Sequence, residues 1–182
     1  NAFRESIYLT SVVIPNSVTY IGEWAFFSTG LTSIKIPDGV TTLEESIFNG
    51  CDNLSSVSLP NNLITIGYKA FYRCKILKSI NIPNGVTSIG EMAFAECMNL
   101  TSIIIPNGVK SIGEMAFWDC RSLTSVTIPN SVTSIGANAF DGEDDNFPNI
   151  KTIISLVENP FEIYGKSSYK TKSNGKVEYL RV

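Results

Sequence analysis

The sequence has no histidine. That absence removes Ser-His-Asp and Cys-His catalysis, along with every metal site built on imidazole. Charge is scarce as well: 17% of the 182 residues are charged, the formal net charge is −3, and the basic residues form no cluster. The chain therefore lacks the electrostatic footprint that a phosphate backbone or an anionic lipid surface demands, and neither nucleic acid nor a membrane surface is an expected partner. No apolar run approaches the roughly 20 residues that cross a bilayer, so no membrane insertion of this stretch is expected. There is neither an initiator Met nor a signal peptide, and Asn1-Ala2-Phe3 reads as the interior of a repeat, as in a fragment of something longer. The missing targeting segment thus carries no information about compartment. With 43% apolar residues the composition fits one soluble globular or repeat domain.

What is present is a period. Residues 123–140 match residues 100–117 in type at nearly every position, and the unit is L-x-S-I-x-I-P-N-G-V-x-S-I-G-x-x-A-F-x-x-C-x-x. Its first position holds Leu9, Leu31, Leu54, Leu77, Leu100 and Leu123, and its seventh Pro15, Pro37, Pro60, Pro83, Pro106 and Pro129, each step being 23 residues except one. The exception lacks a residue between Thr29 and Leu31, a deletion that a surface turn can absorb. Half a repeat precedes these, with Ala2 and Phe3 in the A-F positions, and after Phe140 the loop 141–149 adds four residues before Ile150 restarts the pattern.

Each unit has a physical reading. In Leu-x-x-Ile-x-Ile, alternation of apolar and polar positions is the signature of a strand with one buried face. Pro-Asn-Gly or Pro-Asn-Ser then turns the chain, with Asn or Gly expected at positive φ. A second short extended stretch, Val-x-Ser-Ile-Gly, follows, and Glu-Met-Ala-Phe and its counterparts are expected to form one helical turn that folds Ala and Phe inward. A lone coil cannot cover its own apolar side chains, so stacking must bury them. The predicted fold is a right-handed leucine-rich-repeat β-solenoid with parallel sheets of short strands and one short helical turn per 23-residue coil. At about 4.8 Å per coil, six coils make a rod about 30 Å long. The solenoid is assigned to residues 1–149, a partial repeat plus six, and residues 150–182 to a terminal strand and a C-terminal cap or hairpin. Asn174-Gly175 followed by the alternating Lys176–Val182 suggests the hairpin, which would hide the open sheet edge.

The run I-P-N-x-V-x-S-I-G-x-x-A-F-x-x-C resembles the BspA-like leucine-rich repeats of bacterial cell-surface proteins, over residues 1 to about 154. The resemblance implies a secreted or cell-surface protein without enzymatic activity that binds an extracellular or host protein, the matrix, or other cells. A monomer is expected. A structural spacer that displays another domain of a longer parent is the alternative. Departures from the unit are Glu44 for Gly, Ile47 for Ala, Thr29 and Glu143 in the Cys column, and Ser155 for a core Ile.

Few residues suggest chemistry. Cys51, Cys74, Cys97 and Cys120 recur every 23 residues, so they form a column rather than the converging set a zinc site needs. Parallel side chains one coil apart keep their Cβ atoms near 5 Å, too far for a disulfide, and a buried, reduced ladder is expected. Glu91 and Glu114 fall in an exposed position, and Gly85 and Gly108 in turns, so neither paired carboxylates nor a phosphate loop is indicated. No cofactor or metal is called for. The acidic run Asp141–Asn146 lacks the EF-hand spacing and reads as a solvated loop, with calcium left open. Asn53-Leu-Ser55 and Asn99-Leu-Thr101 match glycosylation sequons by a pattern that chance often supplies.

Two surfaces are candidates for binding. On the first strand, Ser11, Ser33, Ser56, Ser79, Ser102 and Ser125 form a monotonous outward column beside a variable one of Val13, Lys35, Ser58, Asn81, Ile104 and Thr127. Around the expected helical turn, Trp24, Phe27, Tyr68, Tyr72, Met92, Met115 and Trp118 fill positions that the repeat does not require to be apolar. Aromatic residues supply contact area at low entropic cost, which favours this edge, although the same side chains could pack on neighbouring coils.

Overall fold

The structure, a computed structural model, describes residues 1–142, 150, 152–155, 162–163, 168–171 and 177–180, with side chains up to residue 154. Its strands are short: β1 (Ser33–Lys35), β2 (Thr42–Leu43), β3 (Ser56–Ser58), β4 (Thr65–Ile66), β5 (Ser88–Ile89), β6 (Ser111–Ile112), β7 (Ser125–Ile128), β8 (Ser134–Ile135) and β9 (Thr152–Ser155). β2, β4, β5, β6 and β8 form a five-stranded parallel sheet in which Thr42, Thr65, Ser88, Ser111 and Ser134 stand in register, one coil apart. On the first stretch of the unit the pairing is intermittent, β1 with β3 and β7 with β9. Ser125 faces Thr152 in the β7–β9 pair, so the four extra residues of the 141–149 loop are accommodated without loss of register. Three further strands, β10 (Glu162–Ile163), β11 (Ser168–Thr171) and β12 (Val177–Leu180), make an antiparallel sheet beside β9.

Stacking buries what a single coil cannot. The Phe column, Phe3, Phe26, Phe48, Phe71, Phe94, Phe117 and Phe140, runs as nearly parallel rings 5.2–5.6 Å apart. Columns of Leu, Ile, Val, Ala and Cys close the rest of the core, and from Leu31 onward their members are almost all buried.

The expected helical turn is corrected by the structure: among the described residues there is no helix. Positions fifteen to twenty instead make a run of turns with two residues of each of the first five full coils, and one of the sixth, in the left-handed region. These are Trp24, Ser46, Lys69, Met92, Met115 and Asn138, and, four residues further on, Ser28, Gly50, Arg73, Glu96 and Asp119. A helix spends its amides within one coil, whereas here they are divided. Ala93, Ala95 and Cys97 donate back to Gly90, Met92 and Phe94, while Met92, Phe94 and Glu96 donate to Glu114, Ala116 and Trp118 of the next coil. Left-handed φ at every fourth residue lets the segment turn and pair at once.

The glycines also differ from expectation. Asn84 and Gly85 are not in the left-handed region; the turn closes by donation from the Val86 amide to the Pro83 carbonyl. Close approach asks for glycine at position fourteen, where a Cβ on Gly90 or Gly113 would come within 2.7 and 2.4 Å of the preceding coil's backbone, and also at Gly108 in the turn, where it would come within 2.3 Å. Glu44 is the exception at position fourteen, and the five-stranded sheet begins at its coil rather than continuing to Tyr20 and Ile21.

Candidate functional site

The turn segment fixes where the edge side chains sit. Trp24, Phe27, Tyr68, Tyr72, Met92, Met115 and Trp118 all lie along it and all are half-buried rather than freely exposed. The structure gathers Trp24, Phe27, Tyr68 and Tyr72 into two local clusters, and Met92, Met115 and Trp118 join neither. In the first, the Trp24 and Phe27 rings meet at 5.0 Å with a 55° tilt, and the Arg4 guanidinium lies 5.2 Å from each ring centre. In the second, Lys69 Nζ lies 4.8 Å from the Tyr68 ring and 5.4 Å from that of Tyr72, and the Arg73 guanidinium 5.3 Å from Tyr72. Cations over ring faces hold such side chains in place through the quadrupole of the ring.

A buried carboxylate ties this second cluster to the next coil. Tyr72 OH donates to Glu96 Oε1, and Arg73 Nε donates to Glu96 Oε2 at 2.7 Å. Burial alone would raise the Glu96 carboxyl, but the Tyr72 hydroxyl and the Arg73 guanidinium outweigh it and hold the group below its ordinary range. Tyr72 is pushed up to about 12, first by burial and then by the adjacent carboxylate. These polar partners were not singled out from the sequence. Their signal is opposite charge one coil apart, as in Arg73 and Glu96, and equally in Lys75 and Asp52, which pair at 2.8 Å.

Lys35, Asn81 and Ile104 lie exposed on the first stretch of the unit and do not join the aromatic clusters. Val13 and Ile104 are the most exposed apolar members of that column, at 92% and 78%. The six serines beside them are exposed too. Glu91 and Glu114 are exposed, and among the described residues no group of His, Cys, Asp or Glu could hold a metal ion. Most of the acidic run Asp141–Asn146 lies outside the described residues, so the calcium question does too. In the two sequons Ser55 Oγ and Thr101 Oγ1 donate to the carbonyls of Thr32 and Lys78 one coil back.

The four cysteines are buried free thiols. Each Sγ donates to the carbonyl of the Phe in the coil before it: Cys51 to Phe26, Cys74 to Phe48, Cys97 to Phe71 and Cys120 to Phe94, at 3.0–3.3 Å. Thr29, which replaces Cys in its column, keeps a hydroxyl there, 3.3 Å from Cys51 Sγ. Burial raises all four thiols, Cys97 to about 12, so none is poised as a thiolate nucleophile.

Comparison with known proteins agrees with this architecture. Residues 1–98 and 45–174 match the BspA type leucine rich repeat region, in six copies. A leucine-rich repeat protein from Bacteroides ovatus is 34% identical, with a TM-score of 0.65 over 77% of this chain and 38% of its own. A leucine rich cell surface protein from Faecalibacterium prausnitzii is 30% identical, with a TM-score of 0.61 over 93% of this chain and 53% of its own. A Treponema pallidum leucine rich repeat protein is 27% identical, with a TM-score of 0.63 over 75% of this chain and 76% of its own. No curated protein matches. Among the described residues no helix is long and apolar enough to cross a membrane. The matched repeats span most of the sequence, and the chain belongs to the BspA-type leucine-rich repeat family.

Proposed function

We propose that the chain is a non-enzymatic binding module of a cell-surface or secreted protein, attaching as a monomer to host or matrix proteins or to other cells. The observation that carries this reading is the turn edge. Its large side chains occupy positions that folding does not require to be apolar, and Arg4, Lys69, Arg73 and the Glu96 carboxylate contact those of Trp24, Phe27, Tyr68 and Tyr72. Rigid aromatic anchors lose little entropy on binding, which is why such residues dominate interface energetics. Membership of a leucine-rich repeat family and likeness to a cell-surface relative support both the location and the absence of catalysis.

The test replaces Phe27, Tyr72 and Trp118 with Ala, singly and together, and titrates each variant against a panel of purified matrix glycoproteins. Loss of affinity by about fivefold or more per anchor, with the melting temperature of Trp118→Ala little changed, is the expected result. Unchanged affinity in the triple variant, with loss on Ile104→Ala, would move the binding face to the strands. A spacer role is the second reading. It is favoured by the uniform exposed serine column, and binding to no member of the panel would support it.

A further inference from the structure

A glycine amide has no Cβ beside it, so it can attack the side-chain amide of an asparagine directly in front of it. The sequence has four such Asn-Gly pairs, at 49–50, 84–85, 107–108 and 174–175. The last lies outside the described residues, and the other three fall into two settings. Asn49-Gly50 is locked. Asn49 is 8% exposed, its Nδ2 donates to Ser46 Oγ at 3.4 Å, and the Gly50 amide donates to the Tyr72 carbonyl of the next coil at 2.8 Å. Attack there would require the turn segment to part from the next coil first.

Asn84-Gly85 and Asn107-Gly108 are open. Both asparagines are exposed, in turns that are closed by the amide after the glycine, Val86 to Pro83 and Val109 to Pro106. The Gly85 and Gly108 amides therefore donate to no group among the described residues, and the Asn84 and Asn107 side chains make no hydrogen bond there either. Packing retains the reactive pair in one of them: a Cβ on Gly108 would lie 2.3 Å from the Asn84 carbonyl oxygen, so a larger residue would not fit after Asn107. Asp38, exposed at the same position two coils before Asn84 and also followed by glycine, shows that this turn accommodates a carboxylate.

We propose that Asn84 and Asn107 are sites of spontaneous deamidation in the folded chain, and that Asn49 is protected from it. The Gly85 nitrogen loses its proton to solvent and attacks Asn84 Cγ. The N–Cγ bond forms, the Cγ–Nδ2 bond breaks, and the side-chain nitrogen takes up a proton and leaves as ammonia. A cyclic imide results. Water then opens it at Cγ to give aspartate, or at the main-chain carbonyl carbon to give isoaspartate, in which the main chain runs through Cβ and Cγ. Asn107 and Gly108 react in the same way. Each conversion adds a carboxylate to the row of turns that already holds Asp38.

The test holds the folded chain at mildly alkaline pH, where loss of the amide proton is easier, and a parallel sample in concentrated denaturant. Both are digested with trypsin, and peptides 36–69 and 79–110, which carry the three pairs, are followed by mass spectrometry with fragmentation that separates isoaspartate from aspartate. In the folded chain Asn84 and Asn107 should each gain one mass unit at least about tenfold faster than Asn49, because only Asn49 needs a local opening; in denaturant all three should convert at comparable rates. Gly85→Ala, whose Cβ would meet the Leu63 carbonyl oxygen at 3.1 Å, should slow conversion at Asn84 and leave Asn107 unchanged. Asn49 converting as fast as the other two in the folded chain would overturn the proposal. So would a folded chain that keeps Asn84 and Asn107 intact while the denatured one converts them, or a rate at Asn84 that Gly85→Ala does not alter.

Discussion

Removing one ring from the middle of the Phe column should cost far more than removing one from its end. Phe94 is fully buried and stacks on Phe71 at 5.2 Å and Phe117 at 5.3 Å. Phe94→Ala therefore loses the transfer energy of a whole ring and leaves a cavity between two coils that cannot collapse without breaking the ladder on both sides, at a cost of about 3–5 kcal/mol. Phe3 is 38% exposed and has a single ring neighbour, Phe26 at 5.5 Å. With part of its surface already in water, Phe3→Ala should cost about 1–2 kcal/mol. Guanidinium unfolding followed by fluorescence reports both ends of the stack, because the two tryptophans of the sequence lie in its first and fifth full coils. A hole at Phe94 falls between Trp24 and Trp118, so it should also weaken coupling between the halves and separate the transitions seen in single-Trp variants. Equal costs for the two substitutions would refute the reasoning, since a stack held by nearest-neighbour burial cannot treat its centre and its end alike.

Two further predictions concern backbone and pH. Ser28 sits at φ 51°, where a side chain costs about 1–2 kcal/mol relative to glycine. After the entropy cost of glycine in the unfolded chain, Ser28→Gly should stabilise by about 0.5–1 kcal/mol in denaturant melts, while Ser33→Gly in β1 should destabilise by a similar amount. A loss at both positions would contradict the left-handed assignment. The buried thiols predict alkaline lability: their folded pKa values are raised, so their contribution is complete below the unfolded thiol value and is lost as pH climbs toward the folded one, about 12 for Cys97. As pH rises above 9 the Cys97 thiol should remove stability with a slope that climbs toward a limit of about 1.4 kcal/mol per pH unit, and Cys97→Ser should flatten the measured slope by that share. A slope the same in Cys97→Ser as in the parent would show the thiols are not buried in this way.

The period made the core legible, because every inward position is repeated and alternation alone says which face is inward. Register survived both the deletion after Thr29 and the insertion after Phe140, since neither falls within a strand. The turn segment was not legible. Glu-Met-Ala-Phe has helical composition, and apart from Gly50 and Asn138 the residues that adopt left-handed φ there, among them Met92, Lys69, Trp24 and Arg73, carry none of the glycine or asparagine signal that marks that conformation. Their amides donate to the next coil, a contact 21 or 22 residues away that no local pattern announces. The glycine at position fourteen was visible as a pattern but not as a cause, since close approach between coils leaves no mark on the sequence of a single coil. The edge clusters were half legible: aromatic residues stood out, but the buried Glu96 that organises Tyr72 and Arg73 looks in sequence like any surface carboxylate.

The tryptophans give the most direct test of the edge as the binding surface, because Trp24 and Trp118 both lie on it and the sequence has no others. Intrinsic fluorescence is recorded while the chain is titrated with a matrix glycoprotein that it retains. Binding along the turn edge should shift or quench the emission in step with binding measured independently, and Trp118→Phe should remove part of that change. Saturable binding that leaves the emission of both tryptophans untouched would contradict the account and place the contact on the strand face with Lys35, Asn81 and Ile104.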